Sequence, residues 1–336
     1  MKTKSIIFSA PGKAEFVEQE IGAPGKGEVI VRLEVTSISS GTERANVSGD
    51  TNVSIDKKVV VGFPRQSGYS SAGVIEAVGE GVTNVKVGDR VAAVWSRHSR
   101  YNRLPVANVF KIGDNITFEE AALFHIATFP LAAIRKCRLE IGESALVMGL
   151  GILGMMAVRL LRLAGAVPII AVDPIKERRE KALAYGADYA FDPFEENFDQ
   201  KVKKVTNGGA NVAIEVTGVG KGLDSALDCM ARFGRVALLG CTRDSDFTID
   251  YYRKVHGPGI TLVGAHTVAR PKFESSEGMW TVGDDMKTLI GLSETRRIDL
   301  SDMIQDTRSP KEAPEVYTRL INDKGFPTTQ FNWREV

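Results

Sequence analysis

A glycine-rich turn after an apolar run is the first stretch of this sequence whose residue types could do chemistry. The run SALVM leads into Gly149-x-Gly151-x-x-Gly154, and a helical pattern begins at Ile152. The first glycine permits a tight turn, the second lets backbone approach a pyrophosphate, and the third lets helix pack on strand. Because amides at a helix N-terminus face such a phosphate, the pattern predicts a dinucleotide-binding loop that includes Ile152 and Leu153.

A carboxylate that ends the next apolar run, PIIAVD, gives the glycine pattern its specificity. Asp173 follows the loop by roughly 20 residues, where a carboxylate binds the ribose diol of the adenosine half and would repel a 2′-phosphate. NAD is therefore expected in preference to NADP. Lys176, Arg178 and Arg179 come next and are either a solvated helix face or include one cation at the cofactor, for which we name Arg178.

Composition and charge are those of a globular protein with room for two domains. The chain has 336 residues, 43% hydrophobic and 25% charged, with a formal net charge of +1, so no global field favours nucleic acid or an anionic membrane. No apolar run reaches the ~20 residues of a membrane span, and the N-terminal apolar stretch is too short for a signal peptide. The separated cysteines Cys137, Cys229 and Cys241 form no disulfide framework. We expect a cytoplasmic protein with a small-molecule substrate.

The order of the periodic segments indicates the α/β class. Short strands with glycine turns fill the first third, and from Ser144 apolar strands alternate with helices, which is typical of a parallel sheet with crossover helices. Between these parts, Thr117-x-x-Glu120 predicts a capping box that starts a helix, interrupted near Pro130. Two helical patterns near the end predict that the chain returns to the first domain.

These segments together resemble the medium-chain dehydrogenase/reductase superfamily, and most closely its polyol, threonine and alcohol dehydrogenase branch. The resemblance rests on GEVIVRLEVTSIS, AGVIEAVGEGVTNVKVGDRV, FEEAALFHIATFPLAAIRK, the GLGILG loop and AIEVTGVGKGLDSALDCMARFGRVALLG. It implies a GroES-like β-rich catalytic domain in residues 1–127 and 268–336, and a Rossmann domain with a doubly wound parallel sheet in residues 128–267. It also implies an active site in the cleft between the domains and a homodimer or homotetramer.

The resemblance adds residues to the expected cofactor site. Thr128 matches a serine or threonine that touches the nicotinamide ribose, with helix capping as the alternative. Thr217 and Gly240 are implied at strand ends beside the cofactor. Cys241 follows Gly240, and we expect a small packing residue there, not a nucleophile.

The sequence departs from the family at the positions of the catalytic zinc ligands. A cysteine in a CGTD-like stretch is replaced here by Ser40, followed by Thr42 and Glu43, and a His-Glu pair is replaced by Tyr69 and a serine. The third position is His125. The stretch WSRHSRYNRLPV, where the family carries its structural zinc, has no cysteine. Because a catalytic zinc needs three good protein ligands, we expect no zinc. Glu43 or His98 could complete a zinc site only in an unusual geometry.

Without a metal, hydrogen-bond donors must stabilise the carbonyl oxygen during hydride transfer, and a side chain must carry the proton. Tyr69 and His125 are the candidate acid and base. Three side chains are candidates to bond a substrate hydroxyl, namely Ser40, Thr42 and Ser70. Glu43 is a candidate to orient His125 or the neighbouring arginine. The alternatives are that Tyr69 only fills the vacated volume, that His125 is a core histidine, and that the other four residues serve the turn and helix start.

A basic stretch formed by Arg97, His98, Arg100 and Arg103 is open to two interpretations. It is a solvated loop, or it is an anion grip for a phosphorylated or carboxylated substrate, with Trp95 beside it.

The leading hypothesis is a zinc-independent, NAD-dependent dehydrogenase that interconverts a secondary alcohol, such as a polyol, sugar or cyclitol, and its ketone. One alternative is a quinone or enoyl reductase, which usually prefers NADPH and is therefore disfavoured by Asp173. The other is a nucleotide-binding sensor without turnover.

Overall fold

The computed structural model describes residues 1–50, 52 and 60–336 of the chain. Its first elements are mostly strands, namely β1 (Lys2–Ala10), β2 (Lys13–Glu20), β3 (Glu28–Ser37), α1 (Ser40–Ser48), β4 (Arg65–Gln66), β5 (Ser70–Val78), β6 (Arg90–Val94), β7 (Tyr101–Pro105), β8 (Val109–Lys111) and α2 (Phe118–Ala121). Strands and helices then alternate as α3 (Phe124–Lys136), β9 (Ala145–Met148), α4 (Ile152–Leu163), β10 (Ile169–Val172), α5 (Lys176–Ala184), β11 (Tyr189–Phe191), α6 (Phe198–Val205), β12 (Ala210–Glu215), α7 (Gly220–Asp228), β13 (Met230–Leu238) and β14 (Thr261–Gly264). The tail contains α8 (Val282–Glu294), β15 (Asp306–Arg308), α9 (Ala313–Asn322) and β16 (Thr329–Asn332).

Two compact units divide the described chain. One comprises Met1–Ile126 with Met286–Val336, and the other comprises Ala127–Asp285. Residues 268–285, which the predicted boundary assigns to the catalytic domain, lie in the second unit. The domain boundaries themselves stay predictions.

The first unit is built on two β-sheets. A small sheet has the order β2-β1-β4, and a larger one runs β15-β16-β3-β5-β6-β8, with β7 paired to β3. β16 lies antiparallel to β3, so the tail returns to the first unit as the sequence predicts. Tyr317 and Trp333 of the tail are buried against Ile6 and Phe8 of β1, and this apolar contact anchors the return.

The second unit contains a parallel sheet of six strands in the order β11-β10-β9-β12-β13-β14. Its strands β9 and β10 are buried at every position, as expected for a parallel sheet with helices on both faces. The predicted α/β fold, with a GroES-like β-rich part and a Rossmann doubly wound sheet, is confirmed. Strand order reverses between β9 and β12, and ligands of such sheets bind at this reversal.

The helical segment after Thr117 differs from the sequence prediction in two ways. Thr117 accepts from Glu120 N at 3.1 Å, but the Glu120 carboxylate bonds Ser293 and Leu300 in the tail, so the capping box is only half formed. The helix is interrupted before Phe124 and continues through Pro130, so the predicted break at proline is wrong. At the break, Leu123 N donates to Glu120 O, three residues earlier, which makes a tighter turn than that of an α-helix. This turn separates α2 from α3.

Among the described residues, no helix combines the length and the apolar character that a membrane crossing requires.

Replacement of Glu120 by glutamine should change how stability depends on pH. Burial raises the pKa of Glu120, although Ser293 and Leu300 donate to it. Its contribution to stability is therefore complete below the ordinary carboxyl pKa of about 4.3 and is lost as the pH rises through the raised folded value. In urea titrations from about pH 4 to about pH 8, the free energy of unfolding of the wild type should fall relative to that of Glu120→Gln.

Glu119 provides the matched control. Burial raises its pKa, but the hydrogen bond and charge of Arg334, 2.7 Å away, outweigh burial and lower it. The wild type should therefore gain stability relative to Glu119→Gln as the pH rises through about 4. The same sign of pH dependence for both variants would contradict these assignments.

Candidate active site

The register of two neighbouring strands brings Tyr69 beside Trp95. Tyr69 immediately precedes β5 and Trp95 immediately follows β6, and the antiparallel pairing sets Ser70 opposite Val94. Trp95 N donates to Tyr69 O at 2.8 Å, which extends the ladder by one bond. The centroids of the two rings lie 6.2 Å apart.

His125, near the start of α3, completes this aromatic cluster of Tyr69, Trp95 and His125. Its ring centroid is 4.5 Å from that of Trp95 and 5.4 Å from that of Tyr69, both edge to face. Nδ1 of His125 is 2.7 Å from Tyr69 O. Because a carbonyl oxygen only accepts, Nδ1 carries a proton, and Nε2 of the neutral ring is the acceptor nitrogen. The cluster thus places the half-buried phenol of Tyr69 beside the buried imidazole of His125.

The backbone of Trp95 is strained. Its φ is 56°, a left-handed value that is uncommon for a bulky residue. Such strain persists where the surroundings fix it, and it is concentrated at functional sites. The side chain is 41% exposed. The sequence placed Trp95 only beside the basic stretch, since nothing in the residue pattern signals a positive φ.

The loop before Tyr69 passes closely over His98. Gly68 has a φ of 94°, and a Cβ there would lie 2.8 Å from His98 N, so glycine is required. His98 N donates to Ser67 O at 3.0 Å. Ser70 donates to Ala122 O at 2.6 Å, and this bond ties the loop to the junction of α2 and α3.

Glu43 and His98 form a separate, fully buried network. The Glu43 carboxylate accepts from Ser39 N at 2.9 Å, from His98 Nε2 at 3.0 Å and from the Tyr317 hydroxyl at 2.5 Å. Nδ1 of His98 is 2.7 Å from the Thr36 hydroxyl. Burial, together with the Glu43 charge, raises the pKa of Tyr317 well above its ordinary range. Glu43 therefore bonds His98, whereas the sequence hypothesis has it orient His125 or Arg44.

Ser40 and Thr42 lie in the first turn of α1 and are half-buried. The cap position of that helix belongs to Ser39, whose side chain makes no capping bond. The structure thus brings Tyr69 and His125 together, whereas the α1 residues belong to the helix start.

The donor set at the family's zinc positions does not suit that metal. The predicted positions hold the hydroxyl of Ser40, the phenol of Tyr69 and the imidazole of His125. Only the imidazole is a good zinc ligand, whereas a catalytic site needs three. Glu43 and His98 bond each other. Across residues 1–50, 52 and 60–336, no group of three or more His, Cys, Asp or Glu side chains is arranged to hold a metal ion. The residues present therefore do not fit a catalytic zinc.

In the second unit, the glycine loop lies between β9 and α4, at the reversal of strand order. Gly149 has a φ of 99°, and a Cβ on Gly154 would lie 1.9 Å from Gly149 O. A Cβ on Gly151 would meet no described atom within 4 Å, so open space lies before the loop. The amides of Ile152 and Leu153 open α4 there. A close approach of pyrophosphate to this loop is sterically allowed and electrostatically favoured.

Asp173 is held rigidly beside the loop. The buried carboxylate accepts from Leu150 N at 2.8 Å and from Ile175 N at 2.9 Å. Arg178 lies 3.5 Å from it. A fixed carboxylate next to the phosphate loop suits a ribose diol, so the donor set fits an adenine dinucleotide.

Further polar groups lie at the ends of β12 and β13. Thr217 donates to Glu215 through its amide at 2.8 Å and through its hydroxyl. Burial raises the pKa of Glu215, although donors from Thr217 and Gly218 oppose this. A Cβ on Gly240 would lie 2.4 Å from Gly218 N, and Cys241 is an exposed free thiol. Sequence reasoning missed Glu215, for which an acid at the end of an apolar strand was the available signal.

Thr128 is buried inside α3, four residues after its start, so it does not cap that helix. Its carbonyl accepts from Arg270 Nη2 at 2.8 Å, and Arg270 pairs with Asp285 at 3.3 Å. Burial lowers the pKa of Arg270 and raises that of Asp285. This buried ion pair fixes the segment after β14 against α3.

Comparison with known proteins gives matches in both units. A family model described as an alcohol dehydrogenase GroES-like domain matches residues 25–108, and one described as a zinc-binding dehydrogenase matches residues 153–279. L-threonine 3-dehydrogenase of Pyrococcus horikoshii is 29% identical over 293 residues, which is 78% of this chain and 82% of the relative. D-guloside 3-dehydrogenase of Escherichia coli K12 is 25% identical over 338 residues, 95% of this chain and 96% of the relative.

A solved structure has the same fold over nearly the whole chain. It is a short chain alcohol dehydrogenase from Escherichia coli CFT073 complexed with cofactor NADH, with a TM-score of 0.83, 20% identity and 99% of both chains covered. The family predicted from the sequence is confirmed. The chain belongs to the zinc-type medium-chain dehydrogenase/reductase superfamily, and it is an oxidoreductase that acts on CH–OH groups.

Proposed function

We propose that this protein is a zinc-independent, NAD(H)-dependent dehydrogenase that interconverts a secondary alcohol and its ketone. The observation that carries the proposal is the contact of Tyr69 with a tautomer-fixed His125 at positions where the family holds zinc ligands. The similarity to D-guloside 3-dehydrogenase over 95% of the chain supports a substrate of the polyol, sugar or cyclitol class.

The cofactor is held by the glycine loop and Asp173. When bound, its nicotinamide accepts a hydride from the alcohol or donates one to the ketone. The amides that open α4 bind the pyrophosphate, and Asp173 accepts from the ribose hydroxyls. NAD is preferred because a 2′-phosphate would face the fixed Asp173 carboxylate, and Arg178 is already drawn toward that carboxylate.

Proton transfer is assigned to the aromatic cluster. In the oxidation direction, Nε2 of His125 accepts the hydroxyl proton of the alcohol, and the carbonyl forms as the hydride leaves the same carbon. The Tyr69 phenol donates a hydrogen bond to that oxygen and stabilises the negative charge that develops on it. The bond from Nδ1 to Tyr69 O keeps His125 in the tautomer that this step needs. Trp95 shields the oxygen from water.

Replacement of His125 by asparagine should lower kcat for alcohol oxidation by about 100-fold or more, because a general base is lost. Tyr69→Phe should lower kcat by about tenfold or more, because one hydrogen bond to a charged oxygen is lost. Steady-state kinetics on a panel of polyols, ketones, quinones and enones, with NADH fluorescence titration alongside, measures both effects. NADH affinity should stay within about twofold in each variant.

The matched controls are His256→Asn and Tyr189→Phe, since both side chains are exposed and lie in the second unit. Their kinetics should equal those of the wild type. Full activity of both cluster variants would exclude the assigned roles, and stoichiometric zinc in active protein would exclude zinc independence. Tight NADH binding with no turnover would identify a sensor, and turnover restricted to NADPH with enones or quinones would identify a reductase.

Asp173→Asn should weaken NADH binding by about tenfold or more and leave NADPH binding unchanged or tighter, because the charge that selects against the 2′-phosphate is gone. Fluorescence titration of both nucleotides gives the ratio of the two affinities. Asp188→Asn is the control, because the Asp188 carboxylate also accepts a hydrogen bond from a backbone amide, that of Ile169 at the start of β10. An equal loss of NADH and NADPH affinity would mean that Asp173 only supports the loop through Leu150.

A further inference from the structure

The basic stretch Arg97, His98, Arg100 and Arg103 is divided by the fold. His98 and Arg100 are buried, and Arg100 donates to Leu33 O at 2.5 Å, so the stretch as a whole is not a solvated loop. Arg97 and Arg103 remain exposed and line one cavity of about 660 Å³ in the first unit. Neither Tyr69, Trp95 nor His125 lines this cavity, so it is separate from the aromatic cluster.

The floor of the cavity is a connected set of hydroxyl groups. Ser99 lies 2.9 Å from the Thr3 hydroxyl and 2.7 Å from the Ser5 hydroxyl, and all three side chains are buried. β1 supplies Thr3 and Ser5, and an isolated bridge pairs Ser5 with Ser99. These hydroxyls bond one another and the backbone of Lys4 and Tyr101, so they fix the segment of Ser99 against β1 beneath the cavity.

Amide side chains line the cavity above this floor. Gln66 donates to Gln19 at 2.7 Å, which leaves further N–H and carbonyl positions on both amides. Asn102 accepts from Arg97 N at 2.7 Å and donates to Ser99 O at 3.1 Å. The backbone that carries Arg97 is therefore held in place before any ligand arrives.

The charge of the cavity is not balanced. Arg97 and the adjacent Arg65 have no carboxylate partner in the described part of the chain, and burial together with the charge of Arg97 lowers the pKa of Arg65. Arg103 lies 3.5 Å from Glu28 across a solvent-exposed gap. Glu20 is the acidic residue of the lining. The lining thus carries two arginines against one glutamate, and an excess of positive charge favours the binding of an anion.

We propose that this cavity is a second ligand site and that it binds a small hydroxylated anion, a sugar derivative with a phosphate or carboxylate group. The guanidinium groups of Arg97 and Arg103 bind the anionic oxygens, since their planar forks match both groups. The amides of Gln19 and Gln66 bind the sugar hydroxyls. The proposal goes beyond the dehydrogenase function and does not depend on it.

Isothermal titration of the full chain with glucose 6-phosphate, gluconate and glucose, at constant ionic strength, tests the site. Both anions should bind at least about tenfold more tightly than glucose, because only they use the arginines. Arg97→Gln combined with Arg103→Gln should weaken anion binding at least about tenfold and leave NADH binding and the melting temperature unchanged. The tighter of the two anions identifies the phosphate or the carboxylate source, and either result supports the site.

Lys26→Gln combined with Lys86→Gln is the matched control, since it removes the same charge from exposed residues of the first unit that do not line the cavity. Anion affinity should stay at the wild-type value in this control. An equal loss of anion affinity in the lysine and arginine variants would mean that the net charge of the protein, and not this cavity, attracts the anion. That result would overturn the proposal. Equal binding of glucose, or no binding of either anion at millimolar concentration, would overturn it as well.

Discussion

The carbonyl oxygen of Tyr69 accepts two hydrogen bonds, from Trp95 N and from His125 Nδ1, and the arrangement of the candidate active site depends on this atom. The first bond continues the ladder between β5 and β6, so the sheet register fixes where the Tyr69 and Trp95 rings lie. The second bond fixes the tautomer of His125 and joins α3 to the sheet. A backbone atom thus determines the chemistry that two side chains can perform.

The support for Tyr69 comes from a buried polar network beneath it. Gly68 lies against His98, and His98 is held by Glu43 and Thr36. Removal of one partner from such a buried hydrogen bond costs about 1–3 kcal/mol, because the other partner is left unsatisfied. The Tyr317 hydroxyl completes the network, so the C-terminal tail contributes to the position of Tyr69. This dependence gives a physical reason for the return of the chain to the first unit.

Much of the second unit could be predicted from the sequence, because its signals are local. The glycine loop, the alternating strands and helices, and the terminal Asp173 are each encoded within a few residues. β11 and α6 escaped prediction, since a three-residue strand and a polar eight-residue helix give weak patterns. In the first unit, the sequence predicts which residues stand at the positions of the zinc ligands. It does not predict which side chains these residues contact. Glu43 bonds His98 and Tyr317, which lie 55 and 274 residues away in the chain.

The sequence by itself determined the superfamily and the dinucleotide loop, and it predicts that Ser40, Tyr69 and His125 stand at the positions of the family's zinc ligands. These features depend on residue type and on short spacing along the chain. Local steric and electrostatic rules are therefore enough to predict them. Tertiary structure alone decided that Tyr69 and His125 meet and that the basic stretch is divided between core and cavity. Strand register and the packing of distant segments set those contacts, and neither is a property of any short run of residues.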